Sequence, residues 1–191
     1  AALLDKRWPE TRVRELMATD TGHDEAGWRD MAEMGLLGLA IPAEFGGMGA
    51  GHTEMGVVME EMGRVLLCAP FLSTAVLAPA LLTAIGDTTE QAQVLPRIAA
   101  GSAIVTLAYA EGSSALIPER VGTHARRTDA GWALTGVKNF VLDGAAADLI
   151  YVLAATDDGP AVFAVSRDAD GLTPTTLNTV DPTRKLCTVG L

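Results

Sequence analysis

The clearest pattern in the first half of the chain is a stripe of apolar residues at helical spacing. Between positions 55 and 66, apolar side chains recur every three or four residues, with Glu60, Glu61 and Arg64 off the stripe. The stripe consists of Met55, Val58, Met59, Met62, Val65 and Leu66. This spacing is typical of an amphipathic helix that buries one face. We therefore predict a well-packed helix, with both glutamates on its solvated face rather than in a catalytic pair.

Other segments of the first hundred residues also indicate helices. One has apolar or small residues at the same spacing, namely Trp28, Met31, Ala32, Gly35 and Leu36. Another begins with Thr89 as a candidate N-cap and ends at Gly101. The run from Cys68 to Ile85 is almost continuously apolar but contains two prolines. We predict that this run is a buried pair of helices rather than a membrane span.

Beyond Gly101 the period of the apolar residues falls towards two, and β-branched and aromatic residues gather in short runs. The runs read AIVTLAYA, VGTHARR, WALTGVKNFVL, DLIYVLAAT and PAVFAVS. This alternation predicts strands. Turn residues at Thr128–Gly131 and Asp157–Pro160 predict tight connections between neighbouring strands. The fold class is therefore α+β, with an all-α domain over 1–101 and an antiparallel β sandwich or barrel over 102–191.

A glycine-rich stretch, IPAEFGGMGAG at positions 41–51, lies between two of the predicted helices. A dinucleotide fingerprint would need a third glycine at the position of His52, and a P-loop would need a lysine that this stretch lacks. We interpret it as a turn, in which Pro42 ends the first helix and the glycines adopt positive φ. A loop of this kind can still line a binding site.

Composition excludes several classes of partner. The chain has 14 basic and 24 acidic residues, a net charge of −10, and no basic cluster. Nucleic acid and anionic membrane surfaces both require a basic face, so we expect neither as a partner. Two cysteines, Cys68 and Cys187, form no disulfide framework and suit a reducing compartment. We therefore expect a soluble, cytoplasmic protein.

The usual catalytic arrangements of hydrolases and metalloenzymes are missing. The three histidines are far apart in the sequence, and no Gly-x-Ser-x-Gly elbow is present, which argues against a hydrolase triad. No two histidines or cysteines stand three or four residues apart, so we expect no metal site.

Three stretches together are specific enough to indicate a family. Met34–Gly49 resembles the Gly-Leu-x-Gly, Pro-Glu and Gly-Gly-x-Gly signature of acyl-CoA dehydrogenases. Leu107–Ser114 is similar to their strand and loop with a Thr/Ser-Glu-Pro motif, and Leu134–Asp148 is similar to their Asn-Gly-x-Lys-x-Trp-Ile-Thr-Asn segment. The order and spacing of the three match the family over nearly the whole chain.

The resemblance implies FAD as cofactor and acyl-CoA as substrate, bound between the β domain and a C-terminal four-helix domain. By position, two β segments would hold the flavin with Leu107, Tyr109, Ala110, Phe140, Val141 and Leu142. Ser113 and Ser114 would contact the substrate. The family's catalytic base lies in the C-terminal domain, which we expect to be absent from this sequence, so no catalytic residue is assigned.

The chain departs from the family pattern where hydroxyl groups meet the flavin. Ala110 and Leu142 stand where relatives have Thr or Ser, and Phe140 replaces the usual Trp. Gly112 stands in place of the motif's proline, and Leu116 or Ile117 where Ser-Asp is expected. Each lost hydrogen bond typically forfeits about 0.5–1.5 kcal/mol. Backbone contacts alone would then have to hold a flavin.

Three functions remain open. The first is an acyl-CoA dehydrogenase-like flavoprotein subunit that converts a CoA thioester into the 2-enoyl-CoA, with electron-transfer flavoprotein as acceptor. The second is a non-catalytic partner subunit with a degenerate flavin site in a heteromeric enzyme, as the resemblance to bacterial two-subunit enzymes acting on bulky steroid or branched acyl chains implies. For the assembly with homologous subunits, both a homotetramer and a heterotetramer stay open. The third is a flavin-dependent monooxygenase or oxidase on the same architecture.

Overall fold

The structure is a computed structural model that describes residues 1–129 and 131–191. Helices occupy most of the first hundred residues: α1 (Ala2–Arg7), α2 (Glu10–Met17), α3 (Glu25–Glu33), α4 (His52–Arg64), α5 (Ala78–Ile85) and α6 (Thr88–Ala99). A 3-10 turn at Ala43–Phe45 and a π-helical segment at Leu72–Leu77 accompany them. The strands are β1 (Val105–Ala108), β2 (His124–Thr128), β3 (Gly131–Thr135), β4 (Val137–Leu142), β5 (Leu149–Thr156), β6 (Gly159–Ser166), β7 (Thr173–Thr176) and β8 (Leu186–Gly190).

The predicted amphipathic helix is confirmed as α4, which buries Met55 and Met62. The helix ends at Arg64, before the end of the apolar stripe. Leu66 therefore lies beyond the helix, with a φ of 51° and 63% of its surface exposed. The stripe indicated the buried face correctly but extended it too far.

Two helix boundaries differ from the prediction. Helix α3 ends at Glu33, so the apolar spacing that continues to Leu36 belongs to the following turns. Helix α6 is capped by Asp87, not by Thr89, because the Asp87 carboxylate accepts the backbone N–H groups of Thr89 and Glu90. A carboxylate at the N-cap satisfies donors that have no partner within the helix.

The apolar run predicted as two helices is one continuous helical stretch. The π-helical segment passes directly into α5, and Pro79 lies in the first turn of α5. Within a continuous helix a proline removes one main-chain hydrogen bond, because it has no N–H to donate to the preceding turn. No helix in the described part of the chain is long and apolar enough to cross a bilayer.

The strands of the second half form two sheets, and the predicted α+β class is confirmed. In the larger sheet β5 pairs along its whole length with β6 in antiparallel register, while β1 pairs with β5 in parallel. Strands β2 and β3 extend this sheet, and the smaller sheet has the antiparallel order β4-β8-β7. The larger sheet is therefore mixed rather than purely antiparallel.

The two predicted tight connections have different outcomes. The turn before Pro160 is confirmed, because Thr156 pairs with Gly159 and only two residues lie between them. The turn predicted at Thr128–Gly131 includes position 130, which lies outside the described residues. Thr128 and Gly131, the first and last residues of the predicted turn, pair with each other in antiparallel β2 and β3.

One hydrophobic core joins the two halves. Leu4 and Trp28 from the helices belong to the same buried cluster as Val141 and Val189 from the smaller sheet. The boundary between an all-α domain and a β domain at 101/102 stays a prediction. The helical half and the sheets share their packing, so that the positions of β1 and β4 depend on both.

The glycine-rich stretch folds back on the residues that precede it, and its interpretation as a turn is confirmed. The expectation that Pro42 ends the first helix is wrong, because α3 ends at Glu33 and Pro42 instead precedes the 3-10 turn. Gly46 and Gly49 have φ values of 80° and 63°. The N–H of Gly49 donates to the carbonyl oxygen of Ile41 at 2.8 Å. At Gly47 a Cβ atom would stand 2.0 Å from the same carbonyl oxygen, so the close backbone approach requires glycine.

Replacing Gly47 by alanine is therefore expected to lower the free energy of unfolding by about 2 kcal/mol, in the range for overpacked sites. Gly56→Ala is the matched control, because Gly56 lies inside α4 and a Cβ atom there would have no neighbour within 4 Å. That variant is expected to gain up to about 1 kcal/mol from higher helix propensity. Urea denaturation of both variants provides the measurement, and equal effects would contradict the close approach.

Candidate functional site

Two β segments that lie far apart in sequence meet at the boundary between the sheets. We call residues 107–110 and 140–142 the shelf. The N–H of Asn139 donates to the carbonyl oxygen of Ala110 at 2.9 Å, and the Asn139 side-chain amide donates to the carbonyl oxygen of Gly112 at 2.8 Å. The Thr106 hydroxyl donates to the carbonyl oxygen of Leu142 at 2.5 Å. The structure therefore joins the two segments that the sequence indicated.

The shelf residues differ in how much of each side chain a ligand can reach. Ala110 and Val141 are only 3% and 1% exposed, so their side chains belong to the core. Leu107, Phe140 and Leu142 are partly buried, and Tyr109 is 37% exposed. The accessible side-chain surface of the shelf is therefore mostly apolar and aromatic. The roles in cofactor binding that the sequence assigned to these residues stay predictions.

The second segment of the shelf has an unusual backbone. Phe140 has a φ of 55° and Asp143 a φ of 53°, in the left-handed region that residues with a Cβ atom rarely occupy. The pairing between β4 and β8 shifts register between Lys138 and Val141, which is the sign of a bulge. Bulges and left-handed residues often lie next to functional sites, where the surrounding structure must hold them.

A buried ion pair lies beside the shelf. The Lys138 ammonium, which is 0% exposed, contacts Glu111 Oε1 at 2.5 Å. The same carboxylate accepts the Thr123 hydroxyl at 2.7 Å and the backbone N–H groups of Gly122 and Thr123. Burial raises the pKa of Glu111, but the hydrogen bonds from Lys138, Thr123 and the backbone outweigh burial and lower the pKa to about 2. Glu111 is therefore ionised at neutral pH, and its carboxylate connects Lys138 on β4 to the backbone at Gly122 and Thr123.

A second buried carboxyl follows the shelf directly. Asp143 is 7% exposed, and its Oδ2 is 2.6 Å from the hydroxyl oxygen of Ser73 on the π-helical segment. Burial raises the pKa of Asp143 to about 6, although the Ser73 hydrogen bond and the charge of Arg184 act in the opposite direction. No role was expected for Ser73 or Asp143 from the sequence. Neither residue has a local motif, because their contact spans 70 positions of the chain.

The two serines predicted to contact substrate lie on the loop that follows the first shelf segment. Ser113 and Ser114 are both exposed. The Ser114 hydroxyl oxygen accepts the backbone N–H of Leu116 at 3.2 Å, and Leu116 and Ile117 are themselves largely exposed. The structure thus places both serines at the surface near the shelf, and their role in substrate binding stays a prediction.

Comparison with known proteins agrees with this geometry. The profile of the acyl-CoA dehydrogenase N-terminal domain matches residues 2–102. Acyl-CoA dehydrogenase FadE12 of Mycobacterium tuberculosis is 30% identical over 175 residues, which is 85% of this chain and 44% of FadE12. The chain spans about half the length of the curated relatives and solved structures that it matches.

Solved structures also match over the whole chain, including the following two. A variant of the Tcur3481–Tcur3483 steroid ACAD has a TM-score of 0.86 and 32% identity, over 100% of this chain and 52% of its own. The ChsE4–ChsE5 complex of Mycobacterium tuberculosis has a TM-score of 0.87 and 29% identity, over 100% of this chain and 50% of its own. Together with the profile match, these similarities show that this chain belongs to the acyl-CoA dehydrogenase family.

Proposed function

We propose that this chain is part of an FAD-dependent acyl-CoA dehydrogenase subunit that takes part in the α,β-dehydrogenation of a CoA thioester to the 2-enoyl-CoA. The observation that carries the proposal is the joining of the two shelf segments, through the hydrogen bond from the Asn139 N–H to the Ala110 carbonyl oxygen. Both segments stand at the positions where the family motifs hold the flavin. FAD and acyl-CoA are therefore the ligands that we propose for this region.

The residues of the shelf fit the flat face of a flavin ring better than its polar edge. Leu107, Tyr109, Phe140 and Leu142 offer partly exposed apolar and aromatic surface, which suits the flat face of an isoalloxazine ring. When bound, the flavin would supply the hydride acceptor for the oxidation. The contribution of this chain is to bind and orient the ring and to exclude water from its face.

A second function is favoured by what the shelf lacks. Ala110 and Leu142 carry no hydroxyl, and Ala110 is buried. An isoalloxazine on this shelf would therefore receive no hydrogen bond from these two side chains, each worth about 0.5–1.5 kcal/mol. This favours a non-catalytic subunit that completes the site of a homologous partner. The same loss argues against the flavin-dependent monooxygenase, which also needs donors at the flavin edge.

The partner and substrate proposals have separate support. The two solved structures described above are each named for a pair of proteins, and one of them is described as a steroid ACAD. We propose a homologous subunit as the partner of this chain, in a heterotetramer, and a bulky steroid or branched acyl chain on the CoA thioester. Electron-transfer flavoprotein is the acceptor that we propose.

The colour of the purified protein separates the two functions. Expressed alone, a flavoprotein subunit is expected to be yellow and to be bleached by acyl-CoA in the absence of oxygen. A non-catalytic partner is expected to be colourless alone and yellow only when coexpressed with a homologous subunit. A colourless preparation under both conditions, with FAD supplied, would contradict both functions. Oxygen uptake with externally reduced flavin would instead support the monooxygenase.

Removing the aromatic ring of Phe140 tests the shelf itself. Phe140→Leu is expected to raise the dissociation constant for FAD up to about tenfold, because an aromatic contact is worth about 0.5–1.5 kcal/mol. Trp132→Leu is the matched control, since Trp132 lies on β3 and contacts Phe163 rather than the shelf. Fluorescence titration with FAD measures both constants in whichever preparation binds flavin. Equal changes in the two variants would place the flavin elsewhere.

A further inference from the structure

We propose that the π-helical segment positions the shelf, with Ser73 and Thr74 each holding one of its two strands. The inference rests on the proposed function, because the shelf is the place where that function puts the flavin. Ser73 and Thr74 are positioning residues and act through the backbone of β1 and β4. The Ser73 contact with Asp143 fixes the end of β4, three residues after the left-handed Phe140.

The π-helical segment turns adjacent side chains towards the sheets. Ser73, Thr74 and Ala75 follow one another in sequence, and each is 0% exposed. A π-helix has a wider turn than an α-helix, and such segments often occur at functional sites. Two successive hydroxyl groups therefore lie buried on the side of the helix that faces the strands.

Thr74 holds the strand that leads to the first shelf segment. Its hydroxyl donates to the carbonyl oxygen of Val105 at 3.0 Å and accepts the N–H of the same residue at 3.0 Å. Both backbone groups at the start of β1 are thus satisfied by one side chain. Leu107 and Tyr109 follow within four residues, so the position of Thr74 sets where the first segment begins.

Ser73 holds the end of the second shelf segment through Asp143. The Ser73 hydroxyl oxygen lies 2.6 Å from Asp143 Oδ2 and 3.1 Å from the carbonyl oxygen of Pro70. The hydroxyl has one hydrogen. It donates to Asp143 when the carboxyl is ionised; when the carboxyl is protonated, Asp143 donates to the serine oxygen and Ser73 donates to Pro70. The contact therefore survives a change in the protonation of Asp143.

The backbone of Asp143 is held on two further sides. Its N–H donates to the carbonyl oxygen of Lys185 at 2.8 Å, and its carbonyl oxygen accepts the N–H groups of Ala146 and Ala147. Its φ of 53° is unfavourable and persists only where the surroundings enforce it. The Ser73 contact is the side-chain contribution to holding this conformation, and Leu142, the last residue of β4, directly precedes Asp143.

Hydrogen exchange tests the inference without any flavin. Ser73→Ala and Asp143→Ala are expected to raise the exchange rate of the amides at 139–143 about tenfold, because each removes a buried hydrogen bond. Asp143→Asn keeps an oxygen that accepts the Ser73 hydroxyl and is expected to retain the wild-type rates. Thr156→Ala is the control, since it removes a hydroxyl that bonds to the carbonyl oxygen of Gly159 in a surface turn.

The outcomes separate positioning from ordinary packing. If Ser73→Ala raises exchange at 139–143 no more than Thr156→Ala does, or raises it equally in every strand, the inference is overturned. In a flavin-loaded complex, Ser73→Ala is also expected to shift the visible absorption band of the flavin, whereas Asp143→Asn leaves it in place. A wild-type complex that never binds FAD would contradict the proposed function alone, because the exchange comparison does not require flavin.

Discussion

Lys138→Met is expected to lower the free energy of unfolding by about 3–5 kcal/mol, the range for breaking a buried ion pair by removal of one partner. The variant leaves Glu111 without the ammonium that contacts it at 2.5 Å, while the carboxylate stays largely buried. Its remaining hydrogen bonds come from Gly122 and Thr123. Urea denaturation at pH 7 measures the loss.

The loss of stability should arise from breaking the ion pair between Lys138 and Glu111 rather than from either side chain alone. Lys138→Met combined with Glu111→Gln is expected to lose less stability than Lys138→Met, because no unpaired charge is then buried. Arg14→Met breaks an exposed ion pair with Glu10 and is expected to cost less than about 1 kcal/mol. A Lys138→Met variant no less stable than Arg14→Met would show that the buried pair does not hold this region.

Low pH should also remove the contribution of the ionised Glu111 carboxylate to the stability of the fold. The pKa of Glu111 in the folded protein, about 2, lies below its ordinary value of 4.5. The folded state therefore prefers the ionised form, and the stabilisation is fully present above pH 4.5. It is lost as the pH falls from 4.5 towards 2. In Glu111→Gln this part of the acid sensitivity is expected to disappear.

Asp143 is expected to make the stability of the wild type depend on pH in the opposite sense, and Asp143→Asn is expected to remove that dependence. Burial raises the pKa of Asp143 to about 6, above its ordinary value of 3.8. Between these two values the folded state binds the proton more tightly than the unfolded state, so stability falls as the pH rises through this window. The full shift corresponds to roughly 3 kcal/mol of destabilisation above pH 6.

The variant has no carboxyl to titrate, so the difference between the two proteins isolates this residue. The stability of Asp143→Asn relative to the wild type is expected to be about 1.5 kcal/mol greater at pH 7.5 than at pH 5. Thermal denaturation at both pH values measures the difference. A relative stability that is the same at pH 5 and pH 7.5 would mean that Asp143 titrates as an exposed carboxyl.

Much of the secondary structure could be predicted from local pattern. The helical period located α4, and the five alternating runs overlap the strands from β1 to β6. The single run WALTGVKNFVL, however, contains most of β3 and all of β4, which lie in different sheets. The family motifs also predicted that the two shelf segments together form one binding site. The errors lie at element ends, where local rules compete: Asp87 caps α6 in preference to Thr89, and α4 ends before Leu66. Those choices depend on which side chain reaches a free N–H or carbonyl group.

The supporting residues of the candidate site could not be predicted in the same way. Glu111 and Lys138 stood within the family motifs, yet nothing in either motif shows that their side chains meet. Ser73 and Asp143 come from different halves of the chain. The buried state of Ala110 is likewise decided by the segments that pack over it, since an alanine in a strand is compatible with either face.

The sequence by itself determined the α+β class, the position of most elements and the family. Tertiary structure alone decided that β1 lies parallel to β5, that Leu72–Ile85 within the apolar run forms one helical stretch with a π-helical segment, and which charges are paired in the interior. The physical reason is that periodicity records which face of an element avoids water. The identity of the group that covers that face depends on contacts between residues far apart in the chain.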